Sequence, residues 1–199
     1  MKKRVFLFLM ILLFVYSLGG IIYLKYIYVS PNEPVIKNLD SILGYDYLLR
    51  SNASSLYKTE FNVLKENLEG DINEEEYLKS VCKLYIIDLY SMRDKLNKYD
   101  INTDFIYEQN ILNYKLNLQD TLYKYLEDNS DGKRVQELPS VSSVDVVDVK
   151  DTTFKIGDEN AHAKEVSLKW EYDKDLGYDN KGTLVLVKEN NLYYIVEYK

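Results

Sequence analysis

Val166-Ser167-Leu168-Lys169-Trp170-Glu171-Tyr172 is the stretch on which the fold turns. Val166, Leu168, Trp170 and Tyr172 alternate with Ser167, Lys169 and Glu171. A period of two belongs to a β-strand with one buried and one wetted face, because successive strand side chains point to opposite sides. Upstream, Pro139 introduces Val141 to Val149, a β-branched run that makes a poor helix and a good strand. The adjacent Val146 and Val147 break the alternation and predict a bulge. Phe154 and Ile156 belong either to the end of that strand or to the connection after it. Downstream, Leu184 to Val187 is apolar on both faces, as a more central strand requires. Glu189-Asn190-Asn191 then turns the chain into a last strand from Leu192 to Tyr198.

Before this sheet the periodicity changes to three and four. A helix of about 14 residues follows Asn52-Ala53-Ser54-Ser55, with Leu56, Phe61, Leu64 and Leu68 on its apolar side and Gly70 as its stop. The next begins at Asn73, a good N-cap, with Glu74, Glu75 and Glu76 where the helix dipole favours acid. Leu78, Val81, Cys82, Tyr85, Leu89, Met92 and Leu96 continue it, and Ile86 and Ile87 widen the stripe, which marks a central helix. A third is predicted from Phe105 to Glu127, with Ile111, Tyr114, Leu118, Leu122 and Tyr125 on one face. Ile42 to Leu49 reads equally as a short strand or a helical turn. Helices first and an antiparallel meander afterwards define an α+β class: about three helices packed on a curved sheet of about four strands.

The N-terminus sets the expected location. Val5 to Leu24 is an uncharged, mostly apolar run of 20 residues behind Lys2-Lys3-Arg4. At about 1.5 Å per residue it spans roughly 30 Å, the thickness of a bilayer's hydrocarbon core. Basic residues in front keep the N-terminus in the cytoplasm and place everything beyond about Val29 outside. A cleaved signal peptide is the rival, with Ser17 and Gly19 as the small pair. The run continues through Gly20 to Leu24, however, and Tyr23, Tyr26 and Tyr28 suit an interfacial belt. The expected organisation is therefore an anchor over 1–29, a stalk with Pro31 and Pro34 over 30–36, and an extracytoplasmic domain over 37–199.

Removing Lys2, Lys3, Arg4 and Lys25 from the net charge of −7 leaves −11 on residues 30–199. That balance argues against nucleic-acid binding and against lying flat on an anionic membrane. The single cysteine, Cys82, makes no internal disulfide and falls on an apolar stripe, so it reads as a small core residue. His162 is the sole histidine and precedes the alternating strand, where an exposed position is expected. Asp173-Lys174-Asp175-Leu176-Gly177-Tyr178-Asp179 carries acids at a calcium-like spacing, but Tyr178 and Leu184 occupy the positions that need glycine and an acid. Glu74-Glu75-Glu76 reads as dipole complementation, and Lys133-Arg134 as a basic loop. No catalytic residue, cofactor or metal is expected. Trp170 and Tyr172 point inward toward the helices, and a curved sheet would let them share a pocket or partner face with Tyr194 and Tyr198.

Gly132 to Pro139, the helix end Leu89 to Ile101, and the closing stretch from Asp175-Leu176-Gly177-Tyr178-Asp179 to Tyr198 carry a family resemblance. The chain resembles uncharacterised membrane-anchored proteins of low-GC Gram-positive bacteria. Its order of elements is similar to the NTF2-like cone, including VirB8-like periplasmic domains of conjugation machines. The resemblance implies an envelope assembly module with membrane or envelope proteins as partners. Its alternative is a small-ligand-binding cone without catalysis.

Overall fold

The computed structural model describes residues 36–199. The expected anchor and all of the stalk before Ile36 lie outside the described residues. Among the described residues, no helix is long and apolar enough to cross a membrane.

The chain opens with a small antiparallel hairpin of β1 (Asn38–Ser41) and β2 (Leu48–Arg50). Ile42 to Leu49 is therefore a turn followed by a strand, with Gly44 at φ +84° and Asp46 at φ +47° reversing the backbone. Helix α1 (Ser55–Glu69) begins where the Ser54 hydroxyl accepts from the Tyr57 amide at 3.0 Å, and it stops at Gly70. Phe61, Leu64 and Leu68 are buried as expected, and Tyr57 joins them. Helix α2 (Glu74–Tyr90) is capped by Asn73, whose side-chain oxygen accepts from the Glu75 and Glu76 amides at 3.1 Å. It is buried on nearly every side, which is what a helix between two layers requires.

Two expected helix lengths are corrected. The α2 stripe does not run helically to Leu96: the chain leaves at Ser91, whose hydroxyl accepts from the Val141 amide, and Met92–Asp94 forms a 3₁₀ turn. The carbonyls released there are not left bare. The Arg134 guanidinium donates to the carbonyls of Arg93 at 2.6 Å, Lys95 at 2.9 Å and Glu127 at 3.2 Å. Arg134 is thus a clamp between the turn after α2 and Glu127, not a solvated basic loop, while Lys133 stays on the surface beside Asp131.

The third helix is shorter than its periodicity suggests. A 3₁₀ turn (Glu108–Asn110) leads into α3 (Ile111–Asp120). At its front, Thr103 to Ile106 is a turn in which the Ile106 amide donates to the Thr103 carbonyl at 3.0 Å, and Ile106 then bridges to Ile195 in place of helix. At its end the Tyr123 amide turns back to the Leu118 carbonyl, and the Tyr123 hydroxyl donates to the Leu89 carbonyl at 2.7 Å. Tyr125 consequently leaves the apolar face and is 77% exposed.

The sheet is a four-stranded antiparallel meander in chain order: β3 (Val141–Ile156), β4 (Glu159–Tyr172), β5 (Lys181–Glu189) and β6 (Leu192–Tyr198). Phe154 and Ile156 belong to β3. The β3–β4 register slips between Val146 and Asp148, the expected bulge, and Val147 is turned outward. Asn190 and Asn191, at φ +50° and +67°, make the tight β5–β6 turn.

The architecture is α+β, with three helices and a four-stranded antiparallel sheet, plus the β1–β2 hairpin. The main core gathers α1, α2 and one sheet face, the latter through Val166, Leu168, Trp170, Leu184 and Leu186. A second small cluster, Ala163, Val185, Val187 and Val196, sits on the opposite sheet face under Phe154, Ile156 and Tyr194. The both-sided burial of Leu184 to Val187 follows from these two clusters.

Candidate functional site

Three of the four residues singled out in the sequence come together. Trp170 on β4 is buried, stacks 4.9 Å from Tyr90 of α2, and donates from Nε1 to the Tyr172 hydroxyl at 2.8 Å. The Tyr172 hydroxyl passes on to the Asp179 carbonyl. Tyr198 lies beside them, its hydroxyl 2.7 Å from that of Tyr90. Tyr198 reaches this place only because β5 carries Gly182: a Cβ there would meet the Tyr198 ring at 2.5 Å. Burial raises the phenols of Tyr90, Tyr172 and Tyr198 above their ordinary range, Tyr172 to about 12, so they act as neutral hydrogen-bonding groups.

Tyr194 does not belong to this group. Tyr193 and Ile195 face the helices and Tyr194 the opposite sheet face, against Tyr107 and the second cluster, while the extra β6 residue at the Val185–Leu186 register slip returns Tyr198 to the helix side. The inward-facing aromatics also fail to enclose a cavity. Tyr47, Tyr77, Phe105, Tyr193, Trp170 and Tyr90 fill the space between sheet and helices with ring contacts at 4.9 to 6.4 Å. Among the described residues, no buried side-chain nitrogen or oxygen lacks a hydrogen bond.

The accessible concavity lies just outside. A groove of about 620 Å³ runs between α3 and the edge strand β6, with Tyr85, Leu89 and Tyr90 of α2 at its base. Tyr85 and Tyr114, with ring centroids 6.2 Å apart, line it together with Leu118, Ile195 and Tyr198. Asn113 and Asn117, four apart on α3, form its helical wall together with Asn110 just before the helix. Asn110 donates to the Val196 carbonyl at 3.2 Å and ties the wall to β6. The amide of Asn113 has no hydrogen bond among the described residues. Asp179 and Glu197 are the ionisable acids of the lining, and no lysine or arginine lines it. Such a surface pairs with polar neutral groups, covers apolar ones and favours a cation over an anion. The asparagine spacing was available in the sequence; its pairing with β6 was not, since that depends on how Phe105 to Tyr107 packs.

A second concentration of polar groups is interior. Lys95, 3% exposed, pairs with Asp88 at 2.7 Å, and Arg50 pairs with Asp104 at 3.1 Å. Asp100 accepts from the Asn52 amide at 2.7 Å and the Leu96 backbone at 2.9 Å. Burial raises the carboxyls of Asp94, Asp100 and Asp104 above the usual range. The void among these residues is about 20 Å³, room for about one water. This cluster joins the β2–α1 segment to the chain after α2 and serves the fold.

The other flagged residues have structural partners. His162 is exposed on β4, 3.3 Å from Asp151. Glu74 takes Lys188 at 2.6 Å and the Tyr193 hydroxyl at 3.2 Å, which fastens α2 to the β5–β6 hairpin. Asp173 pairs with Arg93, and Asp175 accepts from the Gly177 amide within its own turn. Cys82 is buried, and burial pushes its thiol well up. Among the described residues, no group of three or more metal-ligating side chains is placed to hold an ion.

No family model matches the chain, and neither a curated protein nor a solved structure is significantly similar to it.

Proposed function

We propose that this chain is a single-pass membrane protein, N-terminus inside, that presents a non-catalytic interaction module on the outer side and engages an envelope or membrane protein along the α3–β6 groove. The carrying observation is a contrast of volumes. The interior between sheet and helices is closed by tyrosine and tryptophan, whereas a groove of about 620 Å³ lies open beside it. A small-ligand cone needs an enclosed apolar cavity with a few convergent polar groups. The helices-then-sheet order is compatible with an NTF2-like arrangement, and the 20-residue apolar run from Val5 supports the anchor.

The small-ligand alternative has one observation in its favour: the groove's volume falls within the roughly 300–1,000 Å³ of specific ligand sites. Its open side suits a longer occupant better.

Crosslinking in intact cells, applied to the full-length protein and followed by mass spectrometry, tests the reading. A reproducible set of membrane or envelope proteins is expected, and Asn117→Trp, which fills the groove, should remove them. Efficient crosslinking that recovers only the protein itself would contradict it.

A further inference from the structure

We propose that the groove takes an extended peptide segment as an added strand, its main chain paired with Tyr198 and a lysine or arginine side chain set against Asp179. This rests on the partner-binding reading and names the kind of partner. The backbone register is the first ground. Lys199 and Thr183 exchange both backbone hydrogen bonds at 2.9 Å. In an antiparallel ladder such pairs alternate with non-bonded ones, so the neighbouring Leu184–Tyr198 pair turns the Tyr198 N–H and C=O away from β5, toward the open edge.

The chain itself shows that this edge accepts a strand. The Ile195 amide donates to the Phe105 carbonyl at 2.7 Å, and the Tyr107 amide donates to the Ile195 carbonyl at 3.1 Å. This makes an isolated parallel bridge between Ile106 and Ile195. After Tyr107 the segment departs into α3, and the groove occupies the next stretch of the same edge. An edge strand facing a helix across a groove is an arrangement in which peptides add by main-chain pairing while pockets read alternate side chains. Here the unpaired Asn113 lines the same groove as Tyr198, and Tyr85, Tyr114 and Leu118 offer the apolar surface.

Charge selects the occupant. Glu197 is shared with Lys199 at 2.9 Å, so Asp179 is the lining carboxylate without an ion pair among the described residues. With no cation in the lining, a basic peptide is favoured and an acidic one repelled.

The test is selection of a phage-displayed random-peptide library on the full-length protein in detergent micelles. Enriched sequences should carry a lysine or arginine among alternating apolar residues. A synthetic copy should slow hydrogen exchange at the Tyr198 amide by about tenfold or more. Asp179→Lys should weaken it by about tenfold or more, while Asp145→Lys on β3 leaves it unchanged. Peptides that bind without protecting Tyr198 and tolerate Asp179→Lys would overturn strand addition and leave the partner reading standing. Failure to enrich any sequence on the folded protein, with a control bait succeeding, would likewise overturn strand addition; the crosslinking result bears on the partner reading separately.

Discussion

The space between α2 and the sheet and the groove between α3 and β6 are both lined by tyrosine, yet they differ in what is left over. In the interior the hydroxyls close on the protein: Tyr47 with Tyr77 at 2.7 Å, Tyr123 on the Leu89 carbonyl, and, where the interior meets the groove, Tyr90 with Tyr198. In the groove, the Asn113 amide, the Asp179 carboxylate and the outward backbone of Tyr198 have no such closure. Buried polar groups are costly unless paired, so the interior is finished with respect to hydrogen bonding. The groove keeps its groups unpaired where water reaches them, at little cost to folding and ready for exchange. The lesson is that a tyrosine-rich chain separates stability from recognition by where its hydroxyls and amides end.

Substitutions sharpen that contrast in descending order of effect. Trp170→Ala removes the largest ring of the closed interior and one donor to the Tyr172 hydroxyl. A loss of about 3–5 kcal/mol is expected from the midpoint of urea unfolding. Gly182→Ala lies on the boundary, where its Cβ collides with Tyr198. It should cost about 1–3 kcal/mol and loosen the Tyr90–Tyr198 hydrogen bond, seen as faster exchange along β6. Asn113→Ala should change stability by less than about 0.5 kcal/mol while weakening partner capture.

Acid titration probes the interior from another side. Asp94, Asp100 and Asp104 are raised by burial, so each contributes stability that is present below the ordinary carboxylate range and lost as pH rises through its raised value. Asp128, Asp148, Asp151 and Asp173 are lowered by hydrogen bonds on the surface and pull the other way: their contribution is lost as pH falls through their lowered values. These exposed terms weaken in salt. In high salt, unfolding free energy should therefore fall as pH rises above about 4, and Asp100→Asn should flatten that slope. An unchanged slope in Asp100→Asn would remove Asp100 from the account.

Much of the main core was legible in the sequence, for identifiable reasons. The alternation of Val166 to Trp170, the doubled Val146-Val147 and the caps at Ser54 and Asn73 are local signals, and local backbone physics satisfied each of them. The errors fall where distant segments decide. Helix α3 is short because Phe105 to Tyr107 pairs with Ile195, and α2 ends at Tyr90 beside the carbonyl clamp of Arg134, more than 40 residues away. Tyr194 and Tyr198 are four residues apart, and a strict period of two would keep them on one face; the β5–β6 register slip between Val185 and Leu186 puts an extra β6 residue between Ile195 and Glu197 and so parts them. The groove itself was not legible, because its two walls are joined by tertiary contacts and only the spacing of Asn110, Asn113 and Asn117 hinted at one of them.

Site-specific photocrosslinking in living cells separates the groove from the rest of the surface as the site of partner contact. A photoreactive residue would be placed at Asn113 in the groove and, in parallel, at Lys155 near the tip of the β3–β4 hairpin. Asn113 is expected to capture one defined envelope or membrane protein, and Lys155 is not. Capture of the same protein from Lys155 alone, or equal capture from both, would contradict the assignment of the α3–β6 groove as the working face.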